Sequence, residues 1–263
     1  MSNSRQEDAT VEIRSFGVTF HAGQVVPARQ VVPPQPRDWH QLIYATRGVM
    51  TVRTDQCAWV VPPHRGVWIP AGIRYRVEMS GAVALRMLYV RARPRTREPF
   101  ANASRDCAVV NVTPLLRELI VRTVLWGALD SNVPRQKRLI GVIRDELKVL
   151  VAVPLQLPVP LDSRAAQFAS IVEADPGGKV PIDKMLRKCG ASRRTMERLF
   201  HDETGMSLGQ WLRRQKLLHA LRRLAAGDTV SAVSLELGYN SASAFIAMFQ
   251  RELGQTPKRY FET

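Results

Sequence analysis

The chain has 263 residues, enough for two domains, and a hydrophobic fraction of 45% that allows buried cores. Basic residues exceed acidic ones by 15 and the isoelectric point is near 10.6, which favours a polyanionic partner. The polar N-terminus, the lack of a long apolar run and three isolated cysteines argue against a signal peptide, a membrane span and a disulfide framework, so we expect a cytoplasmic protein.

Short strand-like runs alternate with turns from residue 11 to about residue 98. The clearest runs are Gln41–Thr46, Val49–Val52, Ala58–Val61, Val67–Ile69 and Val83–Val90. Many short strands at such regular spacing predict a small sandwich or barrel. We therefore assign residues 11–98 to an N-terminal β domain.

Gly48 and the run from Gly66 to Gly72 resemble the two motifs of a cupin barrel. This resemblance implies a comparison with cupin enzymes, in which two histidines of the first motif and one of the second hold a metal. Here residues 34–38 supply no histidine, which leaves His40, and Tyr75 stands where the later histidine is expected. A catalytic metal needs about three protein ligands, so we expect neither a metal nor another cofactor.

A barrel without a metal still offers a mouth that holds a small organic molecule. Candidates for the lining of this effector site are Trp39, His40, Tyr44, Trp68, Arg74, Tyr75, Met87 and Tyr89. Aromatic residues on strands are as often plain core, so both roles stay open for each of them.

Two helical segments follow, in residues 110–151. The first helix is predicted to start at Thr113 and Pro114, since threonine suits a helix cap and proline suits the first helical position. A second, amphipathic helix is predicted from Arg135 to Leu150. Residues 153–160 are rich in proline and predict a stiff extended linker. The apolar stripes of this helical connector either pack on the barrel or pair with a second copy of the chain.

One pattern occurs twice near the C-terminus, at a spacing of 49 residues. The first copy is Ser192, Met196, Phe200, Glu203, Gly205, Ser207 and Trp211, and the second is Ser241, Phe245, Phe249, Glu252, Gly254, Thr256 and Tyr260. Each copy has a polar residue suited to cap a helix, apolar residues four and eight positions later, and a glycine suited to end the helix. A shorter helical run and a glycine turn precede each copy, which predicts two helix-turn-helix units.

The segment 162–263 resembles the DNA-binding domain of the AraC/XylS family of transcription regulators. The resemblance is carried by Gly190–Phe200, by Glu203–Ser207 and above all by Glu236–Ser241 with the residues up to Phe261. It implies binding to double-stranded DNA, a homodimer and RNA polymerase as a further partner. It also places base reading by the first unit on Arg194, Glu197 and Arg198, and many members of the family carry a cupin sensor of the kind described above.

The outward faces of the two predicted recognition helices differ. Candidate DNA contacts are Ser192, Arg193, Arg194, Glu197 and Arg198 in the first, and Ser241, Ser243, Ile246 and Ala247 in the second. Arginine can grip guanine and glutamate can accept from cytosine, whereas small apolar groups offer only contact with a thymine methyl. We expect the first unit to supply most of the sequence discrimination. Nearby candidates for phosphate contacts are Lys184, Arg187, Lys188, Arg213, Arg214 and Lys216.

These features predict an α+β multidomain protein with a cupin-like β-barrel, a helical connector and an all-α domain with two helix-turn-helix units. The predicted function is that of a DNA-binding transcription regulator whose operator binding responds to a small molecule in the barrel, and not that of an enzyme. Two alternatives stay open. One is a metal-dependent cupin enzyme fused to a DNA-binding module, and the other is a constitutive regulator whose barrel only dimerises.

Overall fold

The computed structural model describes residues 11–20, 25–26, 39–63, 65–92, 107–153 and 155–262. Contacts divide them into two compact units. The sheet unit contains the described residues up to Val52 and from Val61 to Leu155, and the helical unit contains Arg53–Val60 and the described residues from Gln156 onward. An antiparallel sheet domain followed by a helical domain confirms the predicted fold class.

The described residues contain ten strands. They are β1 Val11–Phe20, β2 Val25–Val26, β3 Trp39–Arg53, β4 Cys57–Val61, β5 Arg65–Ile69, β6 Arg76–Arg91, β7 Ala108–Asn111, β8 Ala128–Asp130, β9 Ala152–Val153 and β10 Gln156–Pro158. The main order is β8-β1-β6-β3-β5-β7-β9, and β2 pairs with β6. The register of β1 runs antiparallel to β6, from Ile13 opposite Val90 to Phe20 opposite Val83.

Two helices, α1 Pro114–Trp126 and α2 Pro134–Lys148, cover one face of this sheet. The hydroxyl of Thr113 caps α1 by accepting the backbone N–H of Leu116 at 3.0 Å, as its sequence predicted. The buried side chains of both helices pack against alternate residues of the strands, because successive side chains of a strand point to opposite faces. This helix-covered face contains Ile13, Leu42, Trp68, Leu88, Val90 and Val110.

The proline-rich stretch 153–160 is extended, as predicted, but its described part is not a free linker. β9 pairs with β7 in the sheet unit, and β10 pairs with β4 in the helical unit, with Gln156 opposite Trp59. Trp211 of the helical unit donates its indole N–H to the carbonyl of Pro158 at 2.9 Å. Backbone pairing on both sides of residue 154 therefore holds a segment whose local sequence indicated only a spacer.

The helical unit contains the remaining helices of the described chain. They are α3 Ser163–Ala174, α4 Ile182–Lys188, α5 Arg193–Thr204, α6 Leu208–Ala225, α7 Val230–Glu236, α8 Ala242–Leu253 and α9 Pro257–Glu262. The first helix-turn-helix unit is α4 with α5, and the second is α7 with α8. We call α5 and α8 the recognition helices. No helix in the described residues is both long and apolar enough to cross a membrane.

The repeat of 49 residues corresponds to two equivalent cores. Phe200 contacts Trp211 edge-to-face with ring centroids 5.1 Å apart, and their counterparts Phe249 and Tyr260 do the same at 5.6 Å. Both phenylalanines are fully buried. The buried face of each recognition helix is therefore held by an edge-to-face aromatic pair.

Candidate nucleic-acid interface and effector site

The recognition helices begin and end in the same way. Ser192 accepts the N–H of Thr195 at 3.1 Å, and Ser241 accepts that of Ala244 at 3.2 Å. Gly205 and Gly254 end α5 and α8 with φ of 68° and 77°, a left-handed conformation that favours glycine. The residue types of the repeat thus fix the start and the end of both helices.

The outward face of α5 is strongly basic. Arg193, Arg194 and Arg198 are exposed, and the structure gives them no ion-pair partner among the described residues. By helical periodicity Arg194 and Arg198 lie on the side opposite the buried Met196 and Phe200, so the helix presents charge on one side and anchors itself with the other. A helix of this kind suits the phosphates and guanine edges of a major groove.

Glu197 differs from its arginine neighbours. Its carboxylate accepts the backbone N–H of Leu208 at 3.2 Å, at the first turn of α6. Negative charge is favourable at a helix N-terminus, so this side chain already has a structural role besides the predicted contact with a base. The sequence did not indicate this bond, because the two residues belong to different helices.

The outward face of α8 carries no charge over its first two turns. Ser243 and Ala247 are exposed, and Ile246 is half-buried. Sequence reasoning missed Gln250, an exposed residue seven positions after Ser243 and hence on the same helix face. The seven-residue spacing was the signal that could have revealed it.

Helix α6 is tied to the second unit by polar contacts that are half-buried or exposed. Lys216 donates from Nζ to the carbonyl of Leu237 at 2.9 Å and lies 5.7 Å from the ring of Tyr239, and burial lowers the pKa of its ammonium group. Lys216 therefore braces the turn of the second unit, and its phosphate contact stays a prediction. By contrast, Arg213 and Arg214 line a cleft of about 280 Å³ with Met206, Gln210 and Glu252.

A second brace joins α6 to the end of α7. His219 and Arg223 both contact the carboxylate of Glu236, each at 3.0 Å, and Arg223 also lies 2.9 Å from Asp228. Burial lowers the pKa of His219 more than its bond with Glu236 raises it. The pKa of Glu236 is also lowered, since His219 and Arg223 outweigh the opposing effect of burial.

The loop after α3 approaches the turn of the second unit without intervening side chains. A Cβ atom on Gly238, whose φ is 75°, would lie 2.5 Å from the carbonyl oxygen of Gly177. A Cβ on Gly177 would clash with the carbonyl of Glu236. Both glycines are needed because two backbones meet here.

Three of the predicted effector residues lie on the helix-covered face of the sheet. Trp68 belongs to the core formed with α1 and α2, and His40 stacks on it at 5.3 Å. The Nδ1 atom of His40 accepts the backbone N–H of Ala71 at 3.2 Å. Tyr44 lies two positions after Leu42 on β3 and therefore on the same face, and burial raises the pKa of its hydroxyl.

Three other predicted residues lie together on the opposite face, which we call the inner face. The hydroxyl of Tyr75 donates to Oε1 of Gln41, and the hydroxyl of Tyr89 lies 3.8 Å from Sδ of Met87. Phe16 packs edge-to-face on Tyr89 at 5.6 Å. Gln41 and Phe16 were absent from the predicted set, although alternation from Trp39 and pairing with β6 put them on this face.

The remaining two effector candidates are Trp39 and Arg74. Trp39 lies two positions before Gln41 and therefore also on the inner face, and Arg14, which pairs opposite Tyr89, and Arg91 lie 5.4 Å and 4.8 Å from its ring centroid. Arg74 is exposed. Residues 34–38, where the sequence offered no histidines, lie outside the described residues, and the described part of the chain contains no group of three or more His, Cys, Asp or Glu suited to a metal ion.

Two family models match the chain. The model of an AraC-binding-like domain matches residues 9–152, and that of a helix-turn-helix domain matches residues 185–263. The HTH-type transcriptional regulator NimR of Escherichia coli strain K12 is 36% identical over 224 residues, which cover 84% of this chain and 78% of NimR. The regulator RipA of Corynebacterium glutamicum is 27% identical over 103 residues, which cover 39% of this chain and 31% of RipA.

Solved structures are similar in part. ToxT from Vibrio cholerae with a bound unsaturated fatty acid aligns over 95% of this chain and 94% of its own, with 10% identity and a TM-score of 0.37. The DNA-binding domain of AdpA in complex with a target DNA aligns over 38% of this chain and 90% of its own, with 28% identity and a TM-score of 0.35.

Proposed function

The chain belongs to the AraC-type family of DNA-binding transcription regulators, and on that premise we propose how its parts divide the work. The helical unit reads an operator, chiefly through α5, and the sheet unit binds a small molecule that changes operator affinity. The observation that carries this proposal is the contrast between three exposed arginines on α5 and the small side chains at the same positions of α8. The site of action is then the cytoplasm, and no catalytic step is required.

In this arrangement Arg194 and Arg198 read guanines, and Arg193 with Ser192 docks on phosphates. Glu197 either accepts from a cytosine with its free carboxylate oxygen or acts only through the cap of α6. In the second unit Ser241, Ser243, Ile246 and Ala247 dock the helix and add a weak preference for thymine methyl groups. Specific recognition is thus concentrated on one of the two groove segments.

A footprint of a single subunit tests this division. Because α5 and α8 belong to one braced unit, we expect protection of two major-groove segments on one face of the duplex, about 34 Å apart. Base substitutions in the segment under α5 should weaken binding more than those under α8. Protection of one segment only, or equal sensitivity of both, would contradict the proposal.

We further propose that the chain forms a homodimer through α1. Leu115 and Leu125 are 51% and 73% exposed on this helix, and Trp126 beside them is 38% exposed, so its outward face is unusually apolar. Leu125→Glu should shift sedimentation towards the monomer. The matched control is Leu161→Glu, which changes an equally exposed leucine of the helical unit; an equal shift in both variants would refute α1 as the interface.

RNA polymerase is the further partner that membership of the family supports. Transcription in vitro from a promoter with the operator should depend on the chain, and the dependence should be lost with Arg198→Ala. Equal transcription with and without the chain, at concentrations that saturate the operator, would argue against this partner.

Response to an effector separates this proposal from both alternatives. Titration of small organic compounds into metal-free protein should change its affinity for operator DNA, and DNA should change the affinity for the compound by the same factor. A response that returns only after a transition metal is added would favour the cupin enzyme. A chain whose operator affinity no compound changes would be a constitutive regulator.

A further inference from the structure

A hairpin from the first half of the chain belongs to the helical unit. Its residues, Arg53–Val60, lie inside the stretch 9–152 matched by the AraC-binding-like model, yet their contacts group them with Gln156–Thr263. We call this segment the β3–β4 hairpin. Its turn is closed by a bond from the backbone N–H of Thr54 to the carbonyl of Cys57 at 2.9 Å. The chain therefore passes between the two units on both sides of this hairpin as well as before Gln156.

The hairpin is attached to the start of α6 through β10. In the ladder of β4 with β10, Ala58 lies opposite Leu157, and Leu157 packs against the buried core that α3, α4, α5 and α6 share. The next residue, Pro158, accepts the indole N–H of Trp211 in the first turn of α6. Trp211 in turn packs edge-to-face on Phe200 of α5. Backbone pairing thus connects the hairpin to the aromatic pair behind the first recognition helix.

A second attachment reaches the other end of α6 through charge. Glu173 of α3 accepts a hydrogen bond from the guanidinium of Arg53, and Arg222 of α6 lies 3.7 Å from the same carboxylate oxygen. The side chains of Arg53 and Arg222 are 17% and 20% exposed, so solvent screens them less than it screens surface charges. Trp211 and Arg222 lie near opposite ends of α6, which is therefore held at two separate points.

Helix α6 is the element that joins the two helix-turn-helix units. It supports α5 through Trp211, and it braces the turn and the first helix of the second unit through Lys216 and His219. A contact that fixes α6 therefore also constrains the spacing between α5 and α8.

We propose that the β3–β4 hairpin positions α6 and thereby sets the spacing of the two recognition helices, with Arg53 as the positioning residue. This role rests on the proposed reading of an operator by α5 and α8, and it adds a route for its regulation. Strand β3 runs through Val52 of the sheet unit directly into Arg53 of the hairpin. A ligand that displaces β3 would act on α6 along this strand, independently of residues 153–160.

The competing role is structural support alone, in which the hairpin only covers apolar surface. Ala58 and Trp59 are both buried, as such a role requires. The two roles differ in what the loss of Arg53 does to DNA recognition. Support alone predicts a less stable domain with an unchanged preference for operator spacing, whereas positioning predicts that the preference itself becomes weaker.

The experiment uses the full-length chain and the operator that it selects from random-sequence DNA. Affinity is measured for this operator and for the same operator with one base pair inserted between its two groove segments, and the ratio of the two affinities is the spacing preference. Arg53→Ala and Glu173→Gln should each lower this ratio by about two- to fivefold, the size of effect typical of one ion pair. Affinity for random-sequence DNA should stay within about twofold, because the arginines of α5 are unchanged.

Two further variants separate positioning from stability. Arg53→Lys keeps the charge and should retain most of the spacing preference. The matched control is Arg144→Ala, because Arg144 pairs with Glu12 at 3.1 Å within the sheet unit and its side chain is 20% exposed, close to the value for Arg53. This control should lower the thermal midpoint by a similar amount and leave the spacing preference unchanged.

Glu173→Gln keeps the shape of the side chain and decides the matter if Arg53→Ala does not fold. A spacing preference that stays at the wild-type ratio in Glu173→Gln, or one that falls equally in Arg144→Ala, would overturn the positioning role and leave operator reading intact. A wild-type chain that selects no operator, or one that protects a single groove segment, would overturn the proposed function and this role with it.

Discussion

The two helix-turn-helix units share one backbone design and present different chemistry. Both recognition helices begin at a serine cap, end at a glycine with positive φ and rest on a buried phenylalanine. Their outward faces differ, because α5 carries exposed arginines and α8 carries small side chains. The caps and the buried faces of the two recognition helices are thus alike, whereas their exposed side chains differ, and we expect those exposed side chains to set the sequence preference.

The supports of the two units also differ. Glu203 of the first unit accepts the backbone N–H of Leu161 at 2.7 Å, next to the start of α3, while its repeat counterpart Glu252 lies 3.7 Å from Arg251 of its own helix. The second unit depends instead on the polar braces from α6. The two units therefore share the design of their recognition helices and differ in the contacts around them.

The largest expected effect tests the equivalence of the cores. Phe200→Ala and Phe249→Ala should each lower the free energy of unfolding of the helical unit by about 3–5 kcal/mol, because both rings are fully buried. Chemical denaturation monitored by circular dichroism measures the loss. Leu235→Ala, at a position 78% exposed, is the control and should cost little. A small loss for one phenylalanine alone would break the equivalence.

The next effect tests the difference between the faces. Arg198→Ala should weaken specific binding by about 1–3 kcal/mol and relax the preference at one base pair. Ser243→Ala should cost less, because its hydroxyl makes no bidentate contact. Ala247→Arg should raise affinity for random-sequence DNA and steepen its salt dependence. Competition between operator variants measures all three, and an unchanged preference profile in Arg198→Ala would show that α5 is not the main reading helix.

The third effect concerns the caps. Ser192→Ala and Ser241→Ala should each destabilise the helical unit by about 1 kcal/mol, since each removes the acceptor of one backbone N–H at a helix start. The two losses should agree, and Ser243→Ala, at the second residue of α8, serves as the control. Thermal unfolding measures the difference; a loss in one unit only would mean that the other serine has a substitute acceptor.

The smallest effect is confined to the second unit and depends on pH. The pKa of His219 is lowered by burial, so the unfolded chain takes up this proton first as the pH falls below the ordinary value of about 6.5. Stability of the helical unit should therefore decline as the pH falls through that region. His219→Gln should flatten the dependence. The lowered pKa of Glu236 affects stability only at more acidic pH. If the slope of stability against pH were unchanged in His219→Gln, His219 would be excluded as the source of that slope.

The sequence was sufficient for the parts of the fold that local pattern controls. Serine, apolar residues at helical spacing and glycine specify each recognition helix, because caps and buried stripes depend on neighbours within a few positions. The same holds for Thr113 and Pro114 at the start of α1. The arginine-rich face of α5 follows from those helix bounds, since helical periodicity then fixes which residues point outward.

Contacts between distant segments were not predictable in this way. Neither the bond from Leu208 to Glu197 nor that from Lys216 to Leu237 leaves a trace in local spacing. The predicted effector candidates mix the two faces of the sheet for a related reason, and their role in binding stays a prediction. His40, Tyr44 and Trp68 face α1 and α2 rather than the inner face, and that assignment depends on strand register and on where the helices pack.

The close approach of Gly177 and Gly238 has a consequence for the evolution of the binding site. Because backbone meets backbone there, the loop after α3 and the turn before α8 are held close together, and we expect the spacing between α5 and α8 to have little freedom to adjust. One extra base pair between the two groove segments turns them apart by about 34°, an error that we expect this domain not to absorb. Operators of this regulator should therefore diverge by substitution and almost never by insertion or deletion, so that genome searches with a fixed-length motif will suffice to find them.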